Sequence, residues 1–337
     1  MPNPPFTQQM LPALELEMQQ VVEMSQGDGL EEFHRMMGYH MGWIGEGAGP
    51  GATGKRIRPL LVLLTCAASG GDWQRALPAG AAVELLHNFS LIHDDIEDNS
   101  PLRRGRLTVW KKWGIPQAIN AGDAMLTLAH LAIQRLQETT SQNTAFEASK
   151  ILQHTCLELT KGQYLDISYE SLQELDLDDY WPMVSGKTAA LVSACTELGA
   201  LTAGCTHIIR DAYREFGFSL GLAFQALDDL LGIWGDSAHT GKSAESDLVS
   251  GKKSLPVLYG LMSDGAFASR WRQGPIGVDE VDAIARELEI EGARDYTQET
   301  AACLTDTALR ALGRANPSGE AGRELTELAY QLLNRQI

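Results

Sequence analysis

VELLHNFSLIHDDIEDNSPLRRGR, residues 83–106, is the stretch that decides how the chain folds. Leu85, Phe89, Ile92 and Ile96 recur three and four residues apart, the period of an α-helix with one buried stripe. On such a helix Asp94 and Asp98 project from one face, where they can share a cation or a pair of cations. His87 lies two turns before Asp94, roughly 10 Å back along the axis at 1.5 Å per residue, and offers a hydrogen-bonding ring deeper in. Arg103 and Arg104 follow the helix, and guanidinium groups grip phosphate oxygens in bidentate fashion. Carboxylates beside arginines imply an anion held through metal.

Outward from this stretch the same spacing recurs in nearly every long segment, and runs of strict alternation rich in Val, Ile and Thr are missing. The expectation is an all-α protein of about ten helices. Breaks are expected at GEGAGPGATG (45–54), SGGD (69–72), WGIP (113–116), TTSQN (139–143), QGPIG (273–277) and NPSG (316–319). With no low-complexity linker and no fixed-period repeat, residues 11–337 read as one domain behind a flexible segment, 1–10. The polar stretch from Gly235 to Ser254 suits a mobile loop over a site.

FQALDDLLGIWGD, residues 224–236, repeats the oddity of the first stretch, with Asp228 and Asp229 inside an apolar run. Ionised carboxylates in a buried stripe are costly unless paired or bound to metal. One acidic cluster is commonly a solvated helix end, but a second on another helix fits the way helical bundles build internal metal sites. An all-oxygen ligand set, with no paired histidines or cysteines, points to Mg2+ completed by phosphate oxygens. Lys187, Lys242 and Lys252 add cations, each unremarkable alone. GKRIRP (54–59) places Lys55 and Arg58 before Pro59 at the start of an apolar helical run, where a helix N-terminus and its cations make an anion site.

Composition narrows the alternatives. Hydrophobic residues make up 44% of the 337, enough for a substantial core. The formal charge of −17 repels nucleic acid and anionic membranes at long range, so an anionic ligand needs metal or local cations. Five cysteines without C-x-x-C pairing, set among apolar or small residues, read as reduced core cysteines. No basic-headed apolar leader and no uninterrupted apolar run of membrane length is present, so the expected location is cytoplasmic.

Taken together and in order, GKRIRP, ELLHNFSLIHDDIEDNSPLRRGR, GQYLD (162–166), GKT (186–188), FQALDD and GKKSLP (251–256) resemble the trans-isoprenyl diphosphate synthases, which include farnesyl and geranylgeranyl diphosphate synthases. The resemblance implies an all-α, single-domain bundle around a deep central cavity, in a homodimer, with three Mg2+ ions bridging an allylic diphosphate to both clusters. By position it assigns metal binding to Asp94, Asp98 and Asp228, with Asp95 and Asp229 close behind. Arg103, Lys187 and Lys252 would hold the allylic diphosphate, with Lys242 a further substrate-binding cation. Lys55, Arg58, His87 and Arg104 would hold isopentenyl diphosphate, while Thr188 and Gln225 would flank the reacting carbon. Gly232 stands where the family's second D-D-x-x-D cluster has its last aspartate, which puts the outer coordination of the third ion in question; Asp236 lies two turns beyond Asp229.

Product length is expected to depend on what blocks the cavity below the first cluster. Phe89 stands five residues before Asp94, roughly 7 Å down the helix, and Ser90 four before. An aromatic at the fifth position resembles the geranylgeranyl-forming type, so a C20 product is expected ahead of C15 and of longer chains. A class I terpene cyclase has no use for an isopentenyl diphosphate site, and a non-catalytic partner subunit is free to lose metal ligands, of which Gly232 is the single sign.

Overall fold

The computed structural model describes residues 5–172, 175–235 and 247–333. Helices dominate, and the expected breaks lie at helix ends, except that GEGAGPGATG holds the short helix Pro50–Thr53: Ile57–Ala68 starts after this run and stops at SGGD, and Gly114 separates Val109–Trp113 from Ile115–Gln134. Short pieces such as Pro50–Thr53, Leu136–Thr139 and Asp247–Ser250 make the helices more numerous than expected, because a single turn carries no periodic signal. The first helix, Phe6–Val22, begins ahead of Leu11, and Met10 is buried. Its free N-terminal amides explain the early start: the Glu324 carboxylate accepts from Phe6 N at 2.6 Å and Thr7 N at 3.1 Å, a cap supplied from the other end of the sequence.

The chain divides into two compact units. The first holds the chain up to His154 with Cys195–Arg210 and Pro317–Leu325. Its core forms where Phe6–Val22, Ile57–Ala68 and Leu77–Glu97 pack, with Leu14, Met18, Leu63, Leu64, Leu85 and Leu86 fully buried. Arg56, at φ 49° just before Ile57, is buried and binds the carboxylates of Glu15 at 2.7 Å and Glu84 at 2.8 Å and the Met41 carbonyl at 3.2 Å. This ionic knot fixes the start of the Ile57–Ala68 helix against two neighbouring elements.

The second unit holds Thr155–Ala194, Asp211–Asn316 and the chain from Thr326. Ile233, Leu248, Val257, Phe267, Ile284 and Leu288 form one of its apolar clusters. Helix Leu177–Val184 opens on a capping box: the Asp176 carboxylate accepts from the amides of Asp178 and Asp179, and the Asp179 carboxylate from that of Asp176. Helix His207–Trp234 is long and apolar enough to cross a membrane, yet 67% of its apolar window is buried within the protein. All five cysteines are free, but only Cys66 and Cys195 are buried, while Cys303 is exposed, so the expectation of core positions holds for two of them.

Candidate active site

In the first unit the helix Leu77–Glu97 ends at the first aspartate cluster. Asp94 is half-buried and Asp98 exposed, the Asp98 amide closing the last turn on the Asp94 carbonyl at 2.8 Å. Asp95 turns inward to 1% exposure, where Oδ1 takes both Nε and Nη2 of Arg103 at 2.8 Å. Burial raises this carboxyl to about 6, with Arg103 opposing the rise. Asp95, expected close behind the metal ligands, is thus the anchor of an arginine.

The arginines sit on a feature that the sequence hid, a two-residue antiparallel pair of Leu102–Arg103 with Arg106–Leu107. Its turn residues, Arg104 and Gly105, have φ of 51° and 74°, the primed-turn geometry that suits a tight hairpin. Arg106 ties the hairpin down by donating to the carbonyls of Tyr39, Ile44 and Glu46. Arg104 then reaches the Ala52 carbonyl at 2.8 Å, beside Gly54 and the exposed Lys55.

His87 Nε2 lies 3.1 Å from Nη1 of Arg58. A guanidinium only donates, so Nε2 accepts and the ring is neutral with its proton on Nδ1. Burial first, then Arg58, Arg104 and Arg103, hold His87 well below the usual histidine range. Behind it, burial and Arg103 push His40 down to about 3. Arg58 Nε is buried with no partner. Of the expected diphosphate ligands, Arg58, His87, Arg103 and Arg104 therefore share one electropositive neighbourhood, with a buried donor still to be satisfied.

In the second unit the parts of helices Gln142–Ser171 and His207–Trp234 that follow His154 and Arg210 clasp a π-helical turn, Ser185–Ala189, that carries Lys187 and Thr188. Wide turns of this kind re-aim side chains and recur at functional sites. Glycine makes the clasp possible: a Cβ on Gly162 would stand 2.1 Å from Lys187 N, and one on Gly186 2.5 Å from the Glu158 carbonyl oxygen. Lys187 Nζ pairs with Asp166, and Thr188 Oγ1 donates to Gln225 Oε1 at 2.9 Å. The Gln225 amide nitrogen passes the chain on to Asp229 Oδ1 at 2.9 Å.

Asp229 is the hub. At 1% exposure it also accepts from the Tyr180 hydroxyl at 2.8 Å and the Leu255 amide at 3.0 Å, and it faces Lys252 Nζ at 3.6 Å. Lys252 is held charged by Asp229, Asp247 and Asp228, which together outweigh its burial. Asp229, like Asp95, is thus engaged by protein groups, whereas Asp228 is half-buried.

The gap at Gly232 is filled from elsewhere. A Cβ built there would lie 2.3 Å from Oδ2 and 2.6 Å from Cγ of Asp247, so the Asp247 carboxylate takes the space that a side chain at 232 would enter. Lys242 and Asp236 lie outside the described residues. Phe89 is half-buried and meets His93 edge to face at 4.9 Å, while the Ser90 hydroxyl is turned back onto the His87 carbonyl at 2.8 Å. Sequence reasoning assigns no role to Tyr180, Asp166, Asp247, His40 or the Arg56 knot; Asp166 and Gly162 stand in GQYLD, and Arg56 in GKRIRP, so their motifs are visible in the sequence but their partners are not.

The family model of Polyprenyl synthetase matches residues 50–287, which takes in both aspartate clusters. The chain is 39% identical to the (2E,6E)-farnesyl diphosphate synthase of Mycobacterium tuberculosis over 89% of this chain and 86% of that protein. It is equally 39% identical to the geranylgeranyl diphosphate synthase of the same organism, over 91% and 87%. The crystal structure of a polyprenyl synthetase from Streptomyces coelicolor A3(2) superposes with a TM-score of 0.86 at 34% identity, covering 95% of this chain and 96% of that one.

Proposed function

The chain belongs to the polyprenyl synthetase family and is a trans-prenyl diphosphate synthase; from that premise we propose that it condenses isopentenyl diphosphate with an allylic diphosphate, dimethylallyl, geranyl or farnesyl, to a C20 product, geranylgeranyl diphosphate. Relatives of both the C15 and the C20 type match equally well, so length rests on Phe89, the aromatic five residues before Asp94. The observation that carries the reading is that each aspartate cluster comes with cations held in place by its own buried aspartate, Arg103 on Asp95 and Lys252 on Asp229.

Asp94, Asp98 and Asp228 supply carboxylate oxygens at half-buried or exposed positions, the donor set that suits Mg2+, an ion that keeps waters and takes phosphate oxygens. Held by these carboxylates, Mg2+ would supply positive charge that stabilises the departing pyrophosphate. Arg103, Lys187 and Lys252 bind the allylic diphosphate and stabilise the charge that grows on it as the carbon–oxygen bond ionises. The Thr188 hydroxyl and the Gln225 amide oxygen flank the allylic cation with fixed dipoles. Lys55, Arg58, His87 and Arg104 hold isopentenyl diphosphate, whose double bond attacks the cation; a proton then passes to the released pyrophosphate and leaves a new double bond. Asp95 and Asp229 are positioning residues in this scheme. Free cysteines fit a cytoplasmic enzyme, and Ile115 and Ile119, both exposed and one turn apart on one helix, support a homodimer.

The test is to incubate the purified protein with Mg2+, isopentenyl diphosphate and each allylic primer in turn, and to read product length by mass spectrometry after dephosphorylation. Linear C20 alcohol is expected, absent with Asp94→Ala. A C15 or longer product would keep the chemistry and overturn the length. A cyclic hydrocarbon without consumption of isopentenyl diphosphate would replace the synthase by a cyclase, and no product from any primer would leave a non-catalytic subunit.

A further inference from the structure

His93 is used by nothing in the scheme above, yet it is wedged between Phe89 and a neighbouring helix. Its imidazole lies against the Cα of Gly122 on helix Ile115–Gln134: a Cβ there would stand 2.2 Å from Nε2 and 2.4 Å from Cδ2. The same nitrogen is 3.4 Å from the Ile119 carbonyl oxygen and 3.8 Å from Asp123 Oδ1. The ring thus occupies a notch that only glycine leaves open, with polar groups of one helix turn at its edge. From that notch it meets Phe89 edge to face, the two ring planes at 70° and the centroids 4.9 Å apart. Phe89 and His93 are one helical turn apart, so the imidazole lies directly against one edge of the phenyl ring and restricts its rotation.

We propose that His93, seated on Gly122, is a specificity-determining residue that fixes the Phe89 ring and thereby sets the length at which the prenyl product stops growing. The inference rests on the proposed function and on the place given there to Phe89. A phenyl ring that is free to rotate is a soft stop; a ring braced against an imidazole, itself braced against a backbone, is a hard one. The contacts of the imidazole described above are to Phe89 and to helix Ile115–Gln134, so losing it should change where elongation ends and leave the condensation step in place.

The experiment compares wild type, Phe89→Ala, His93→Ala, Gly122→Ala and the double variant His93→Ala/Gly122→Ala, each with Mg2+, isopentenyl diphosphate and farnesyl diphosphate, and reads the distribution of chain lengths. His93→Ala is expected to move a substantial share of product at least one isoprene unit longer, in the direction of Phe89→Ala and less far, with isopentenyl diphosphate consumption within about threefold of wild type. Gly122→Ala displaces the imidazole and should also alter the distribution, whereas in the double variant the added methyl has room and the distribution should match His93→Ala alone. An unchanged distribution in His93→Ala beside a shifted one in Phe89→Ala overturns this inference and leaves the proposed function standing. An unshifted Phe89→Ala removes the stop from Phe89 and the inference with it, while a wild type that never consumes isopentenyl diphosphate overturns the parent reading. Should Gly122→Ala fail to fold, His93→Ala alone decides.

Discussion

At the scale of single residues, the buried aspartate of each cluster, Asp95 and Asp229, gathers charged and polar partners around one carboxylate. Asp229 carries the Tyr180 hydroxyl, the Gln225 amide, the Leu255 amide and the Lys252 ammonium on two oxygens. Asp229→Ala should cost about 3 to 5 kcal/mol, because it strands a cation and three donors in a site built for an anion. Urea unfolding at neutral pH checks this, and Asp228→Ala, at a half-buried position, should cost far less stability while abolishing turnover. His40 bears on acid stability. Held down to about 3 when folded and near 6.5 when unfolded, it takes a proton in the unfolded chain first as pH falls, so stability drops below about pH 6.5 by up to about 1.4 kcal/mol per pH unit. Asp95, raised to about 6 from an unfolded value near 3.8, acts in the opposite sense, its contribution falling as pH rises between those values. Urea midpoints from pH 7 to 5 should therefore fall less steeply in His40→Gln than in wild type, and more steeply in Asp95→Asn. The sequence announced both aspartates as members of their clusters but not their inward turn, because whether a carboxylate faces metal or arginine depends on a partner from another segment.

At the scale of elements, the helices were legible and the irregular pieces were not. Period three and four located Leu77–Glu97 and His207–Trp234, and glycine and proline marked their neighbours' ends. The hairpin at 102–107 spans too few residues to alternate, and the π-turn at 185–189 is a local change of hydrogen-bond partner within a run that still reads as helix. What creates the π-turn's setting is the pair Gly162 and Gly186, whose missing side chains let two backbones meet. Gly162→Ala puts a methyl 2.1 Å from the Lys187 amide nitrogen, and backbone cannot step aside as a side chain can. It should destabilise the protein by about 1 to 3 kcal/mol or more, as overpacking does. It should also move Lys187 and Thr188 together, raising KM for the allylic diphosphate by more than tenfold while KM for isopentenyl diphosphate changes little. Equal changes in both constants would mean general damage to the fold.

At the scale of the whole molecule, a chain of formal charge −17 must bind anions, and its length and composition already implied that metal or local cations would have to reverse that field. The protein's cations do so only in part, since those nearest the clusters are tied to aspartates: Arg103 to Asp95, Lys187 to Asp166, Lys252 to Asp229. On the proposed function, a diphosphate arriving alone would compete with those carboxylates, whereas one arriving with Mg2+ would bring charge for Asp94, Asp98 and Asp228 as well. Ligands that bind only the folded state stabilise it by RT ln(1 + [L]/Kd), about 2.7 kcal/mol at a hundredfold excess over Kd. For a chain of this size that corresponds to a rise in Tm of roughly 5 °C, at about 2 °C per kcal/mol. An unreactive allylic thiolodiphosphate with Mg2+ should therefore raise Tm by several degrees in a thermal melt, and either component alone by no more than a small fraction of that. Asp94→Ala and Asp228→Ala should each remove the rise while keeping the ligand-free Tm close to that of wild type. A full rise with thiolodiphosphate in the presence of chelator would show that the lysines and arginines suffice, and would take the metal out of substrate binding.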